Sequence, residues 1–218
     1  MKKKHPIEAL IEQGEHQQLD FKFEVSDSKK IARTLSAFAN TDGGRLLIGV
    51  KDNGNISGVH SEEEYYMIEA ASKMYTQPEV PFEATRWEIN GKTVLEIYIA
   101  PSADKPHLAP DIEDKYKAYI RVADENILAN EILVLSWEKK RRKDGTLVKI
   151  SKPVERLFSY LEQYPYINAG QLCRIGHVNY YTAKNILSDL LAIDALQYVV
   201  VDKRIFYQRV PGNDKLAL

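Results

Sequence analysis

The sequence predicts an α+β protein: a mixed α/β domain followed by a smaller helical domain that ends in a hairpin. Three observations carry this. Of 218 residues, 44% are hydrophobic, enough for a proper core and too many for wholesale disorder. Short apolar runs with strand character alternate with stretches of helical periodicity up to about residue 142, and two of the strands form a hairpin. A basic, Gly-containing stretch at 143–152 then breaks the pattern, and the remaining residues hold three helical runs and one hairpin. The expected domains are therefore 1–143 and 152–218.

Each element has its own local signal. Residues 6–13 place Ile7, Leu10 and Ile11 on one helical face, closed by Gly14. Residues 19–23 alternate as a strand. Ser26 or Asp27 caps a helix that runs to Ala39, with Ile31, Leu35 and Phe38 at helical spacing. Gly43-Gly44 supplies a sharp reversal, and residues 45–50 form a short apolar run of the kind covered on both faces of a sheet. Ser61-Glu62-Glu63-Glu64 reads as a capping box whose acidic turn suits the dipole of a helix reaching Met74, a solvated helix rather than a metal site. Residues 82–89 and 92–100 are strands joined by Asn90-Gly91, the strongest short hairpin signal. Residues 101–114 are expected as a polar loop holding Pro101, Pro106 and Pro110, residues 116–122 as a strand and residues 130–142 as a helix. The run Glu138 to Arg142 reads as its solvated basic end.

In the last third, Val154, Leu157, Phe158 and Leu161 recur at i, i+3, i+4, i+7. Residues 169–175 form a second helix ending at Gly176-His177. A third begins near Asn179 and carries Ala183, Ile186, Leu187, Leu190 and Leu191 inward. Residues 197–201 and 204–210 pair across Asp202-Lys203. Three helices and a hairpin have the pattern of a winged helix-turn-helix.

Charge and composition narrow the function. A net charge of −1 excludes a uniformly basic binder, so a nucleic-acid surface must be local. Residues 151–218 carry eight Lys and Arg against six Asp and Glu. One cysteine, Cys173, excludes an intramolecular disulfide and a multi-cysteine zinc site, and its neighbours Leu172 and Ile175 make it a core residue. The five histidines have no metal-ligand spacing, no phosphate-cradling Gly-x-x-x-x-Gly-Lys-Ser/Thr loop is present, and no serine sits in a nucleophile elbow. No apolar run is long enough to span a membrane, and Met1-Lys2-Lys3-Lys4 leads into Glu8 and Glu12 rather than an apolar signal core. A cytoplasmic protein is expected.

The most informative motifs are Leu19-Asp20-Phe21-Lys22, Ala37-Phe38-Ala39-Asn40-Thr41-Asp42-Gly43-Gly44 and Leu47-Ile48-Gly49-Val50-Lys51-Asp52-Asn53-Gly54. Over about residues 5–135 the chain resembles the Schlafen AlbA_2 domain family. The resemblance implies a DNA-binding domain of a kind common in bacterial regulators, and vertebrate Schlafen proteins carry it in an RNA-cleaving form. In those nucleases an acid precedes the Glu-Phe-Lys motif and another closes the Gly-Val-Asp-Asp turn. Glu15, Asp20 and Asp52 match these positions, so the resemblance implies a three-carboxylate site able to hold Mg²⁺ or Mn²⁺. Two departures stand out: the second acid is Asp20 rather than Glu, and Lys51 replaces the first acid of the turn.

The nucleic-acid contacts expected in the first domain are Lys22, Arg45, Tyr119 and Arg121, the last two alternating on one strand as a stacking ring beside a cation. In the second domain they are Tyr180, Tyr181, Lys184 and Asn185, with Ser188, on the outward face of the third helix, and Arg204 near the hairpin tip with Lys203 and Arg209. The leading expectation is a DNA-binding regulator of transcription that needs no cofactor, with RNA as the other target and a homodimer left open. A Mg²⁺- or Mn²⁺-dependent nuclease and a protein-interaction module are the alternatives.

Overall fold

The computed structural model describes residues 5–211, and the chain divides into two compact units between Leu128 and Ala129. The first unit is built around one nearly engulfed helix. Helix α1 (Pro6–Ile11) leads into strand β1 (Leu19–Lys22), helix α2 (Ser28–Asn40) and strand β2 (Gly44–Ile48). Helix α3 (Glu63–Tyr75) precedes strands β3 (Glu83–Ile89) and β4 (Lys92–Ile99). Strands β5 (Leu108–Pro110), β6 (Tyr116–Val122) and β7 (Glu125–Leu128) close the unit.

The first sheet has the order β1-β2-β4-β3, with β1 and β2 parallel and the other pairs antiparallel. Its alternating side chains divide between two cores, as a period of two requires. Leu19, Phe21, Leu47 and Val94 join Ile7 of α1 in one cluster, while Leu46, Ile48, Leu95 and Ile97 join α2 and Ile68 of α3 in the other. The second sheet, β5-β6-β7, contributes Ala109 and Tyr119 to the α2 cluster. With packing on both sides, every α2 residue from Thr34 to Asn40 is buried. Asp27 caps α2, its carboxylate accepting from the Lys29 and Lys30 amides.

Two glycines permit close approaches. A Cβ on Gly44 would lie 2.5 Å from the Phe38 ring, and one on Gly49 (φ +87°) would lie 2.7 Å from the Gly58 carbonyl carbon. The residues expected to form a capping box act one step displaced. The Ser61 hydroxyl accepts from the Glu63 amide, the Glu64 carboxylate accepts from the His60 amide, and α3 starts after Glu62.

The second unit comprises α4 (Glu131–Lys140), α5 (Lys152–Gln163), α6 (Ala169–Gly176), α7 (Tyr180–Ala192) and the hairpin β8 (Leu196–Val201) with β9 (Arg204–Arg209). Backbone bonds of 2.8 Å in both directions tie Ile167 to Tyr207, anchoring the hairpin to the segment before α6. The division at 128/129 falls earlier than the expected 143–152. Helix α4 packs with the later helices, Ile132 lying in one core with Leu157, Leu172, Leu187 and Tyr207. Cys173 lies half-buried against the same core. Among the described residues no helix is long and apolar enough to cross a membrane.

Candidate functional site

In the first unit, β1 carries the candidate acids. The Glu15 carboxylate folds back and accepts the Phe21 amide at 2.9 Å. Burial, above all, and the adjacent Asp20 carboxylate push the Glu15 carboxyl above its usual range, against the pull of the Phe21 amide. Asp20 is 3% exposed and faces the second sheet. Its Oδ1 accepts from Arg121 Nη2 at 3.0 Å, and its Oδ2 lies 2.8 Å from Lys22 Nζ. That second contact is an ion pair without hydrogen-bond alignment, and Lys22 Nζ also donates to the Phe21 carbonyl at 2.6 Å.

Glu15 and Asp20 are therefore neighbours in the structure. Asp52 does not join them. The Lys51–Gly54 turn, closed by the Gly54 amide on the Lys51 carbonyl, holds Asp52 in solvent. Among the described residues no three His, Cys, Asp or Glu side chains gather where they could hold a metal ion. Asp20 is already matched by two cations and Glu15 by an amide, so this donor set does not fit Mg²⁺ or Mn²⁺, and the expected three-carboxylate site is corrected to an internal Glu15–Asp20–Arg121–Lys22 cluster.

The raised Glu15 pKa gives a test. A carboxyl raised in the folded state binds its proton more tightly there than in the unfolded chain. Stability therefore falls as pH rises from the ordinary carboxylate range through the raised value. Glu15→Gln keeps an acceptor for the Phe21 amide and removes the charge beside Asp20. Thermal unfolding should show a higher Tm for the variant at pH 7 and no gain at pH 4, whereas an equal gain at both pH values would contradict this electrostatic account.

The expected nucleic-acid residues of this unit are mostly engaged internally. Tyr119 and Arg121 are 7% and 2% exposed, so the anticipated stacking surface is instead core. Arg121 lies over the Phe38 ring at 5.2 Å and donates to Asn126 Oδ1 as well as Asp20. Arg45 is half-exposed, pairing with Glu96 at 2.8 Å and lying over the Tyr98 ring. Asn40, the last residue of α2 and inside the second of the three motifs, is a buried hub. Its amide donates to the His107 and Tyr119 carbonyls at 2.8 and 2.9 Å and its oxygen accepts the His107 amide at 2.8 Å. These bonds fasten α2 to β5 and β6, a role that the sequence did not disclose.

In the second unit, α6 ends at His177 in the left-handed conformation, and Asn179 caps α7 by accepting the Thr182 amide. One flank of α7 is covered by α4. Glu131 accepts from the Tyr180 hydroxyl at 2.8 Å and from Lys184 Nζ at 3.0 Å. Lys184 first, and then Tyr180, hold the Glu131 carboxyl below its usual range. Lys139 reaches Ser188 Oγ at 2.8 Å, Asp189 Oδ1 at 2.7 Å and Asn185 Oδ1 at 3.3 Å. Lys184, Asn185 and Ser188 are thus turned toward α4 rather than outward, because α4 belongs to this unit and needs a surface for Ile132 and Leu133. Tyr181 remains 70% exposed, and Arg174, His177 and Arg204 are exposed as well. At the hairpin tip Asp202 and Lys203 both take positive φ, the two-residue turn whose twist suits a tight hairpin.

Comparison with known proteins gives a family match and a set of similar solved structures that includes the following two. The family described as Schlafen, AlbA_2 matches residues 15–130. The DIP2311 protein from Corynebacterium diphtheriae is similar at 21% identity and a TM-score of 0.46, over 67% of this chain and 32% of that one. The N-terminal domain of a DNA-helicase RecG-related protein from Nitrosomonas europaea is similar at 23% identity and a TM-score of 0.39, over 55% of this chain and 89% of that one. This chain spans about a third of the Corynebacterium chain's length. No curated protein matches.

Proposed function

The chain belongs to the Schlafen AlbA_2 family over residues 15–130, and on that premise we propose that it is a nucleic-acid-binding protein, a regulator that engages duplex DNA through its second unit. One observation carries the DNA reading. Helix α6, the 177–179 turn, α7 and the β8–β9 hairpin succeed one another, and Ile167 joins Tyr207 in an isolated antiparallel bridge. A winged helix-turn-helix has this order, and its second helix presents N-terminal residues to the major groove.

The contacts differ from those the sequence suggested. The N-terminal end of α7 offers exposed Tyr181, and the turn before it offers His177. Arg204 at the hairpin supplies a cation for phosphate. Lys184 is taken by Glu131 and contributes less. In this reading the first unit supports the second, its Asp20 carboxylate being held internally by Arg121 and Lys22. The nuclease reading has no supporting geometry in the described residues.

The test is a fluorescence-anisotropy titration of a duplex with the full chain at several salt concentrations. Arg204→Ala should weaken binding and lower the magnitude of the log–log salt slope by about 0.9, the value of one phosphate contact. Tyr181→Ala should weaken binding with little change in slope. Lys184→Ala should have the smallest effect of the three. Equal affinity for wild type, Arg204→Ala and Tyr181→Ala would remove the assignment.

A further inference from the structure

The outer edge of β3 is open. This seven-residue strand ends the four-stranded sheet, and Glu83 through Arg86 are all exposed. Asn90 and Gly91 both take positive φ in a two-residue turn, so the flanking pair Ile89–Lys92 is hydrogen-bonded. Antiparallel alternation then aims the backbone groups of Glu83, Thr85 and Trp87 at β4 and those of Ala84, Arg86 and Glu88 away from it. Among the described residues, these three outward residues make no backbone bond outside the β3–β4 pair. An exposed row of this kind is a template for another strand. Beside it lies a groove of about 860 Å³ between α3 and β3, lined in part by Tyr65, Tyr66, Phe82 and Leu95.

We propose that this edge docks the β3 edge of a second copy of the chain, antiparallel about a two-fold axis. Charge selects the occupant and sets the register. Hydrogen-bonded pairing sets outward residues opposite outward residues. An axis through Arg86 would set Arg86 against itself, and an axis through Glu88 would set Glu88 against itself. An axis through Thr85 would set Arg86 against Ala84 and gain no ion pair. An axis through Trp87 sets Arg86 against the partner's Glu88, and symmetry repeats the pair. Both side chains are already positioned: Glu62, at the N-cap of α3, accepts from both Nη atoms of Arg86, and Thr93 Oγ1 donates to Glu88 Oε1 at 2.6 Å. The strand is thus self-complementary in one register. The dimer stands independently of the DNA reading.

Sedimentation equilibrium of the full chain, free of nucleic acid, tests it. The wild type should dimerise in the micromolar range. Glu88→Arg sets like charges opposite at two places and should weaken the dimer by roughly tenfold or more. Adding Arg86→Glu to the same chain should restore it. Arg86→Pro removes an outward N–H that this register pairs with the partner's Glu88, without touching the β4 ladder, at a position where an edge strand accepts proline, and should also abolish dimerisation. A wild type that stays monomeric at high micromolar concentration overturns the proposal. So does a dimer whose strength neither Glu88→Arg nor Arg86→Pro changes.

Discussion

Arg121→Met should destabilise the first unit by about 3–5 kcal/mol, because it leaves Asp20 buried with only part of its countercharge. Arg121 is 2% exposed, and its side chain gathers Asp20, Asn126 and the Phe38 ring between the two sheets. A methionine fills most of the volume and removes the charge. Lys22 remains at 2.8 Å from Asp20, but its side chain is 39% exposed and solvent screens it. Urea unfolding should show the loss as a lower midpoint at an unchanged m-value. Asp20→Asn in the same chain should recover a large part of it, because the cost arises from the unpaired charge and not from the missing volume. A double variant no more stable than Arg121→Met would mean that packing, not charge, dominates there.

Asn40→Ala should cost about 3 kcal/mol or more. The substitution removes both sides of an exchange in which one buried amide serves two carbonyls and its oxygen serves the His107 amide. Unsatisfied buried groups cost about 1–3 kcal/mol each, although water entering the vacated space offsets some of this. The loss should appear locally. The amides of β5 and β6 should lose hydrogen-exchange protection more than those of β4, since Asn40 fastens the second sheet to α2 while β4 belongs to the first. Uniform loss across both sheets would contradict that assignment. Asn40→Asp keeps the acceptor for His107 but replaces the donor with a buried charge facing the two carbonyls, so its cost adds charge burial to the lost donor.

Much of the first sheet was legible because its signals are local. Asp27 caps α2, Asn90-Gly91 turns the β3–β4 hairpin, and the apolar run at β2 is buried on both faces. Strands β5 and β7 were not legible. The Leu108–Pro110 strand lies within a proline-rich polar stretch, and Glu125–Leu128 is too short to show alternation. Helix α4 was recognised as a helix but assigned to the wrong unit. Its apolar residues announce that one face needs covering, and nothing in sequence says by which neighbour.

The site was legible in part for the same reason. Glu15 and Asp20 are close in sequence and meet through a short reversal. Asp52 lies on a turn whose outward direction depends on tertiary context. Tyr119 and Arg121 alternate as exposed strand residues often do, yet a second sheet folding over α2 buries both. Lys184 and Asn185 look outward on an isolated α7 and cease to do so once α4 is placed. Pairing partners distant in sequence decided each of these, as with Asp20–Arg121 and Glu131–Lys184.

The most direct test of the central claim is a selection from a randomised duplex DNA pool by the full chain, with the bound fraction sequenced after each round. The DNA-binding account predicts convergence on a short defined sequence, and Tyr181→Ala should lose that convergence. A pool that remains unconverged after repeated rounds, or one enriched equally by wild type and Tyr181→Ala, would contradict it.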